Sequence, residues 1–189
     1  MNGNKLKTFV QDTTRALDHP LDPRAATERI APLLARLVDS DDWLDEAFCK
    51  PHPQYYQQYL LHCDPLERFS VVSFVWGPGQ QTPVHDHTVW GLIGMLRGAE
   101  ISTPYTVRDG RFEPGAPVTL NPGTVETLLP DENDVHLVRN AYDDRVSISI
   151  HVYGANIGAV TRHVFNPASG ERKEFVSGYS APVSPNIWG

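Results

Sequence analysis

PVHDHTVWGLIGMLRG, residues 83–98, sets His85 and His87 one residue apart inside an apolar, β-prone run. In a strand, residues i and i+2 point to the same face, so both imidazoles can converge on a metal ion. The same spacing also suits two polar side chains on a water-facing strand. Spacing alone leaves both readings open, and the surrounding chain has to separate them.

Outward from this stretch, the pattern from about Gln54 onward is one of short β-branched and aromatic runs. They read RFSVVSFVW, VWGLIGML, EISTPYTV, APVTL, VETLL, VHLVRNA, RVSISIHVY and AVTRHVF. Turn signals separate them: Gly77-Pro78-Gly79, Asp109-Gly110, Asn121-Pro122-Gly123 and Asp143-Asp144. Many short strands at this spacing predict an antiparallel sandwich or barrel. Upstream, from Lys5 to about Ala47, apolar residues fall at helical spacing instead. Leu6, Phe9, Val10 and Leu17 define one helix; Ile30, Leu33, Leu34, Leu37 and Val38 define a second. Asp22 suits its N-cap and Pro23 its first turn, while Pro32 inside the pattern allows a kink or a break. A short third helix is expected around Asp42 to Phe48. The expected organisation is one domain: a helical N-terminal cap over residues 1–50, a closed β-structure over 54–166, and an extended tail over 167–189 lying against it.

With 189 residues, 40% hydrophobic and 21% charged, the chain has enough apolar material for a sizeable core. The formal net charge is −7 without a Lys/Arg cluster, which argues against nucleic acid or an anionic membrane as partner. No apolar stretch approaches the roughly 20 residues that span a bilayer, and the first residues lack the apolar core of a signal peptide. Cys49 and Cys63 are the only cysteines and do not form a C-x-x-C pair. A cytoplasmic protein with reduced thiols is expected. The sequence is silent on oligomeric state.

Gly79, His85-x-His87, Gly91 and Gly98 resemble the first signature motif of the cupin superfamily, with Gly91 standing where that motif usually carries Glu. Gly123, Pro130, Asn133, His136 and Asn140 approximate the second motif, with Asn133 in place of a Gly. The resemblance implies a double-stranded β-helix, a jelly-roll-like barrel, and a third metal ligand in His136. Three neutral imidazoles suit Fe, Zn, Ni or Cu and leave coordination positions open for substrate, water or O2. Without a carboxylate ligand, the full 2+ charge of a divalent metal remains to attract an anion such as a thiolate. His19, His52 and His62 receive no role. Asp86 is expected to face away from the two ligands with a structural role, and His163 to face away from its neighbour Arg162.

In SISIHVYG, residues 147–154, Ser149, His151 and Tyr153 share one strand face and Ile148, Ile150 and Val152 the other. The polar face could be wet, or could line a cavity inside a barrel. Here the chain resembles the thiol dioxygenases, meaning cysteine dioxygenase and its bacterial relative 3-mercaptopropionate dioxygenase. That family combines a three-His cupin site with a Ser-x-His-x-Tyr relay, and both halves are present between about Tyr56 and Phe165. The resemblance implies Fe(II), O2 as co-substrate, and a small thiol oxidised to its sulfinate. It also implies a hydrogen-bonded chain running from Ser149 through His151 to the Tyr153 hydroxyl. Mammalian cysteine dioxygenase carries a Cys after the H-x-H pair that crosslinks to the relay Tyr; Trp90-Gly91-Leu92 stands here, so no thioether is expected.

Substrate choice follows the cation that binds the carboxylate. The Tyr-x-Arg of mammalian-type enzymes is replaced by Tyr56-Gln57-Gln58, whereas the Arg found nine residues after the relay Tyr in mercaptopropionate-type enzymes is matched by Arg162. Arg162 is therefore expected to hold the substrate carboxylate, with Gln58 as a polar pocket neighbour and Trp76 and Trp90 as candidate walls. 3-Mercaptopropionate is favoured, with L-cysteine and mercaptosuccinate as further candidates. Alternatives are a zinc or nickel cupin acting as hydrolase or isomerase, and a non-catalytic small-molecule-binding cupin.

Overall fold

The computed structural model describes residues 4–108 and 110–188. Helix α1 (Asn4–Ala16) buries Leu6, Phe9, Val10 and Thr13, the i, i+3, i+4, i+7 stripe of an amphipathic helix. Helix α2 (Pro23–Val38) starts where the Asp22 carboxylate accepts the Ala25 N–H at 2.9 Å, with Pro23 in the first turn, where no donor is needed. It runs through Pro32 without a break. The segment expected as a third helix forms only a 3-10 turn, Glu46–Phe48, with the Asp45 side chain capping it.

Among the described residues twelve strands follow: β1 (Gln57–Cys63), β2 (Ser70–Trp76), β3 (Val84–His85), β4 (Gly91–Arg97), β5 (Glu100–Arg108), β6 (Arg111–Pro114), β7 (Val118–Leu120), β8 (Val125–Leu128), β9 (His136–Asn140), β10 (Ser147–Tyr153), β11 (Arg162–Phe165) and β12 (Arg172–Phe175). One sheet has the order β1-β2-β10-β4-β8; the other has β12-β11-β3-β9-β5-β6, with β7 also paired to β5. All the ladders are antiparallel. The fold is mainly β, two facing antiparallel sheets capped by two N-terminal helices, which agrees with the expected jelly-roll-like architecture.

The expected closed barrel is corrected in one respect. Among the described residues no ladder joins the two sheets, so this is an open pair of facing sheets. The edge strands β7 and β8 are short, and Pro114, Pro117 and Pro122 near them lack the N–H groups that a ladder turning the corner would need. The tail also differs from the extended coil expected of it, since β12 pairs with β11, setting Phe175 opposite Arg162.

The core has two sides, and β10 divides them. All seven of its residues are buried. Ile148, Ile150 and Val152 join Ile30, Leu34 and Val38 in the cluster beneath the helices, while Tyr153 packs with Phe74, Trp76 and Val138 between the sheets. Each fully buried Leu or Ile contributes roughly 2 kcal/mol of apolar burial. Helix α2 lies closely on β4 at Gly94, where a Cβ would fall 2.9 Å from both Leu34 Cγ and Val38 Cγ1. None of the helices is long and apolar enough to cross a membrane among the described residues.

Candidate metal centre

His85 ends β3 and stands directly opposite His136, the first residue of β9. Opposed residues of antiparallel strands share a face, so register alone brings these two rings together, their centroids 4.9 Å apart. His87 arrives from the turn beyond β3, where Thr88 adopts φ 60°. Asp134 holds that turn: its carboxylate accepts the backbone N–H groups of His87 and Thr88, each at 2.9 Å at the closest, and takes the His87 Nδ1–H at 2.8 Å. One ligating atom from each of the three histidines lies within 4.8 Å of the others.

The Nδ1 atoms of all three rings are engaged away from the cluster. His85 Nδ1 meets the Pro83 carbonyl at 3.1 Å, and His136 Nδ1 meets Ser102 Oγ at 3.2 Å. That arrangement leaves the Nε2 lone pairs for a metal and fixes each ring from behind. Burial, followed by the neighbouring imidazoles, holds His85 and His136 well below the usual imidazole range, so both are neutral bases at neutral pH. The donor set therefore fits a divalent transition metal.

Across the cavity, β10 presents its polar face as a continuous chain. Ser149 Oγ lies 2.8 Å from His151 Nε2, and His151 Nδ1 lies 2.8 Å from Tyr153 Oη. The His151 ring stacks on Phe74 with centroids 3.9 Å apart, and burial holds it well below the imidazole range. Burial pushes the Tyr153 phenol well above its ordinary range. The phenol ring stacks on His87 at 5.4 Å, which sets relay and ligands against each other. Gly91 makes room for it: a Cβ there would lie 3.2 Å from two Tyr153 ring carbons. The position where the cupin motif usually has Glu is thus filled by the relay tyrosine's ring. Both cysteines are free.

Arg162, at the start of β11, lines the same cavity with Tyr56, Gln58 and Trp76. It is only 3% exposed. Nη2 donates to Ser177 Oγ at 2.6 Å, and the guanidinium lies 4.7 Å over the Phe175 ring. Its Nε has no hydrogen-bond partner, and none of the ion pairs among the described residues includes it. A buried cation without an anion is costly, and no acid lines this cavity beside Arg162 among the described residues. Trp76 lines the cavity, whereas Trp90 packs in the core beneath the helices. Asp86 turns outward, accepting the His163 N–H and meeting His163 Nδ1, each at 2.7 Å.

Several groups had no signal in the motifs. Asp134, two residues before His136, reads as one more loop acid in DENDVH. Ser177 and Phe175 lie in a tail that looks featureless. Glu100 opens β5 and Glu126 lies in β8, both mixed in composition; the first is fully buried, and nothing local in EISTPYTV marks it.

Residues 5–164 match the family described as cysteine dioxygenase type I. Similar solved structures include an uncharacterised conserved protein with a double-stranded β-helix domain from Klebsiella pneumoniae. It is 17% identical, with a TM-score of 0.46, and the match covers 61% of this chain and 87% of that one. An RmlC-like cupin protein from Desulfovibrio desulfuricans is 25% identical, with 61% and 94% covered and a TM-score of 0.44.

Proposed function

The chain belongs to the cysteine dioxygenase type I family, and on that premise we propose that it oxidises a small carboxylated thiol with O2 to the corresponding sulfinate. The supporting observation is the meeting, in one buried cavity, of a three-imidazole cluster with the Ser149–His151–Tyr153 chain. Both oxygen atoms end on sulfur: the thiol gives up four electrons, O2 takes them, and the acidic proton stays with the product. A ferrous ion bound by His85, His87 and His136 would supply a dicationic centre to which thiolate and O2 can both bind.

The chain's own residues do the rest. Tyr153 keeps its proton across the neutral range, so its hydroxyl can donate to an anionic group in the cavity. The Nδ1–H of His151 donates to Tyr153 Oη and orients it, while the Ser149 hydroxyl donates to His151 Nε2 and selects that tautomer. Phe74 and Trp76 exclude water around this chain. Arg162 takes the substrate carboxylate through its unpartnered Nε side, with Gln58 as polar neighbour. Among the described residues lining the cavity, one cation and no acid for an amine favour 3-mercaptopropionate over L-cysteine, with mercaptosuccinate as a third candidate. A cytoplasmic setting, where small thiols stay reduced, fits the two free cysteines.

The test is kcat/KM for 3-mercaptopropionate against cysteine on iron-loaded protein, with O2 uptake and metal content measured together. Stoichiometric O2 consumption and sulfinate formation are expected. Zinc without O2 uptake would move the site to hydrolase chemistry, and no stoichiometric metal would leave a binding module.

A further inference from the structure

Beside the Ser149 end of the relay lies a carboxyl that the proposed chemistry does not use. Glu100 opens β5 and is 0% exposed. Neither of its oxygens has a hydrogen-bond partner. The polar groups that face it are the Ser149 hydroxyl and the Trp76 indole, and the Trp76 Nε1–H itself reaches Ser149 Oγ at 3.4 Å. From β8, Glu126 faces it as a second largely buried acid, with one oxygen unpartnered. From β10 the further titratable group is Tyr153. On the neighbouring strands its direct partners are uncharged: Leu120 on β7 and Asn140 on β9.

The geometry points to Glu100 as the positioning residue that sets the direction of hydrogen bonding along Ser149, His151 and Tyr153. This rests on the dioxygenase reading only for its consequence, not for its test. The donors and acceptors of the chain fix where each hydrogen goes. A neutral Glu100 carries an O–H that can donate to Ser149 Oγ. Ser149 then gives its own hydrogen to His151 Nε2, His151 keeps its proton on Nδ1 and donates it to Tyr153 Oη, and the phenol hydrogen is free to point into the cavity. An ionised Glu100 can only accept. It draws the Ser149 hydrogen to itself, His151 must then carry its proton on Nε2 to satisfy Ser149, and His151 Nδ1 becomes an acceptor. The Tyr153 hydrogen turns back toward the imidazole, and the cavity loses its donor. One proton leaves to solvent, and each hydrogen in the chain reverses.

Glu100 is suited to this role. Burial first, and the neighbouring Glu126 charge in addition, push its carboxyl up to about 8, against the opposing pull of Ser149 and Trp76. It is therefore neutral at neutral pH and ionises in the mildly alkaline range.

The test reads the His151 tautomer directly, by nitrogen-15 histidine NMR on the metal-free protein, from about pH 6 to about pH 9.5, spanning the ordinary range of weak acids. Wild type should carry the His151 proton on Nδ1 at the acidic end and on Nε2 at the alkaline end. Glu100→Gln, which can donate but not ionise, should stay on Nδ1 throughout. If Glu100→Gln does not fold, the wild-type titration decides, together with the infrared carbonyl band of a neutral carboxyl, which should fade over the same range. A tautomer that never changes in wild type, or one that switches identically in Glu100→Gln, overturns the assignment. On iron-loaded protein, turnover of wild type should fall about tenfold or more at the alkaline end while Glu100→Gln holds its rate. A tautomer switch in a protein that oxidises no thiol would sink the dioxygenase reading and leave the Glu100 assignment standing.

Discussion

The Nδ1 of His87 lies 2.8 Å from Oδ1 of Asp134, and the same carboxylate receives the His87 backbone N–H. One side chain therefore fixes both the ring and the turn that delivers it. Asp134→Asn should lower metal affinity by about 10- to 100-fold while leaving the far-ultraviolet circular dichroism unchanged. Competition against a chelator reads the affinity. An unchanged constant would mean that the backbone alone holds the ring.

Tyr153 meets its surroundings through a stacked ring and one hydroxyl contact, to His151. Tyr153→Phe keeps the ring and removes the donor. Turnover should drop by about 10- to 100-fold with metal content preserved. Loss of the fold would instead make the hydroxyl a structural necessity.

Arg162 has a hydroxyl and an aromatic ring for company and an unpartnered Nε. A hydrogen bond to a charged group is worth about 1.5–3 kcal/mol, or roughly 10- to 150-fold. Arg162→Ala should raise KM by that factor for carboxylated thiols and leave thiols without a carboxylate unaffected. An equal loss for both classes would detach Arg162 from carboxylate recognition.

The buried Glu100 also makes stability depend on pH. Its carboxyl is raised from 4.5 to about 8 in the folded chain. Below the lower value both states are neutral and nothing is lost. Above it the unfolded chain releases a proton that the folded chain keeps, so stability falls by about 1.4 kcal/mol per pH unit until the folded carboxyl ionises as well. Glu100→Gln lacks this slope. Its denaturation midpoint should draw ahead of wild type between about pH 5 and about pH 7.5; parallel curves would show that Glu100 is not held neutral.

Gly94 is the point where α2 rests on β4. Gly94→Ala pushes a methyl into Leu34 and Val38 and should cost about 1–3 kcal/mol, read as a lower unfolding midpoint. An unchanged midpoint would mean that the helix can lift without loss.

Much of this was legible along the chain because it repeats locally. The alternation in SISIHVY named the two faces of β10 before any fold was known, and the structure buries both. The helical stripes and the Asp22 cap were equally local. Pro32, which allowed a kink or a break, does not end α2, and Ile30 and Leu34 are buried on either side of it. Whether the sheets close has no local signal, because edge pairing depends on how short strands meet across the fold. The register that sets His136 against His85, and the approach of Glu100 to Ser149, join positions remote in sequence. No periodicity announces such pairs. The charged stretch RKEF gave no hint of a strand because its partner, β11, supplies what order it has.

The Ser177 hydroxyl and the Phe175 ring that cradle Arg162 come from the last stretch of the chain, whereas the three imidazoles come from its middle. On the proposed reading, the group that holds the carboxylate is thus steadied from a different stretch of chain than the groups that hold the metal. Exchanging Phe175 and Ser177 should therefore give proteins that still take up metal yet discriminate less sharply among thiols, which makes this pair the place to retune which mercaptan is accepted.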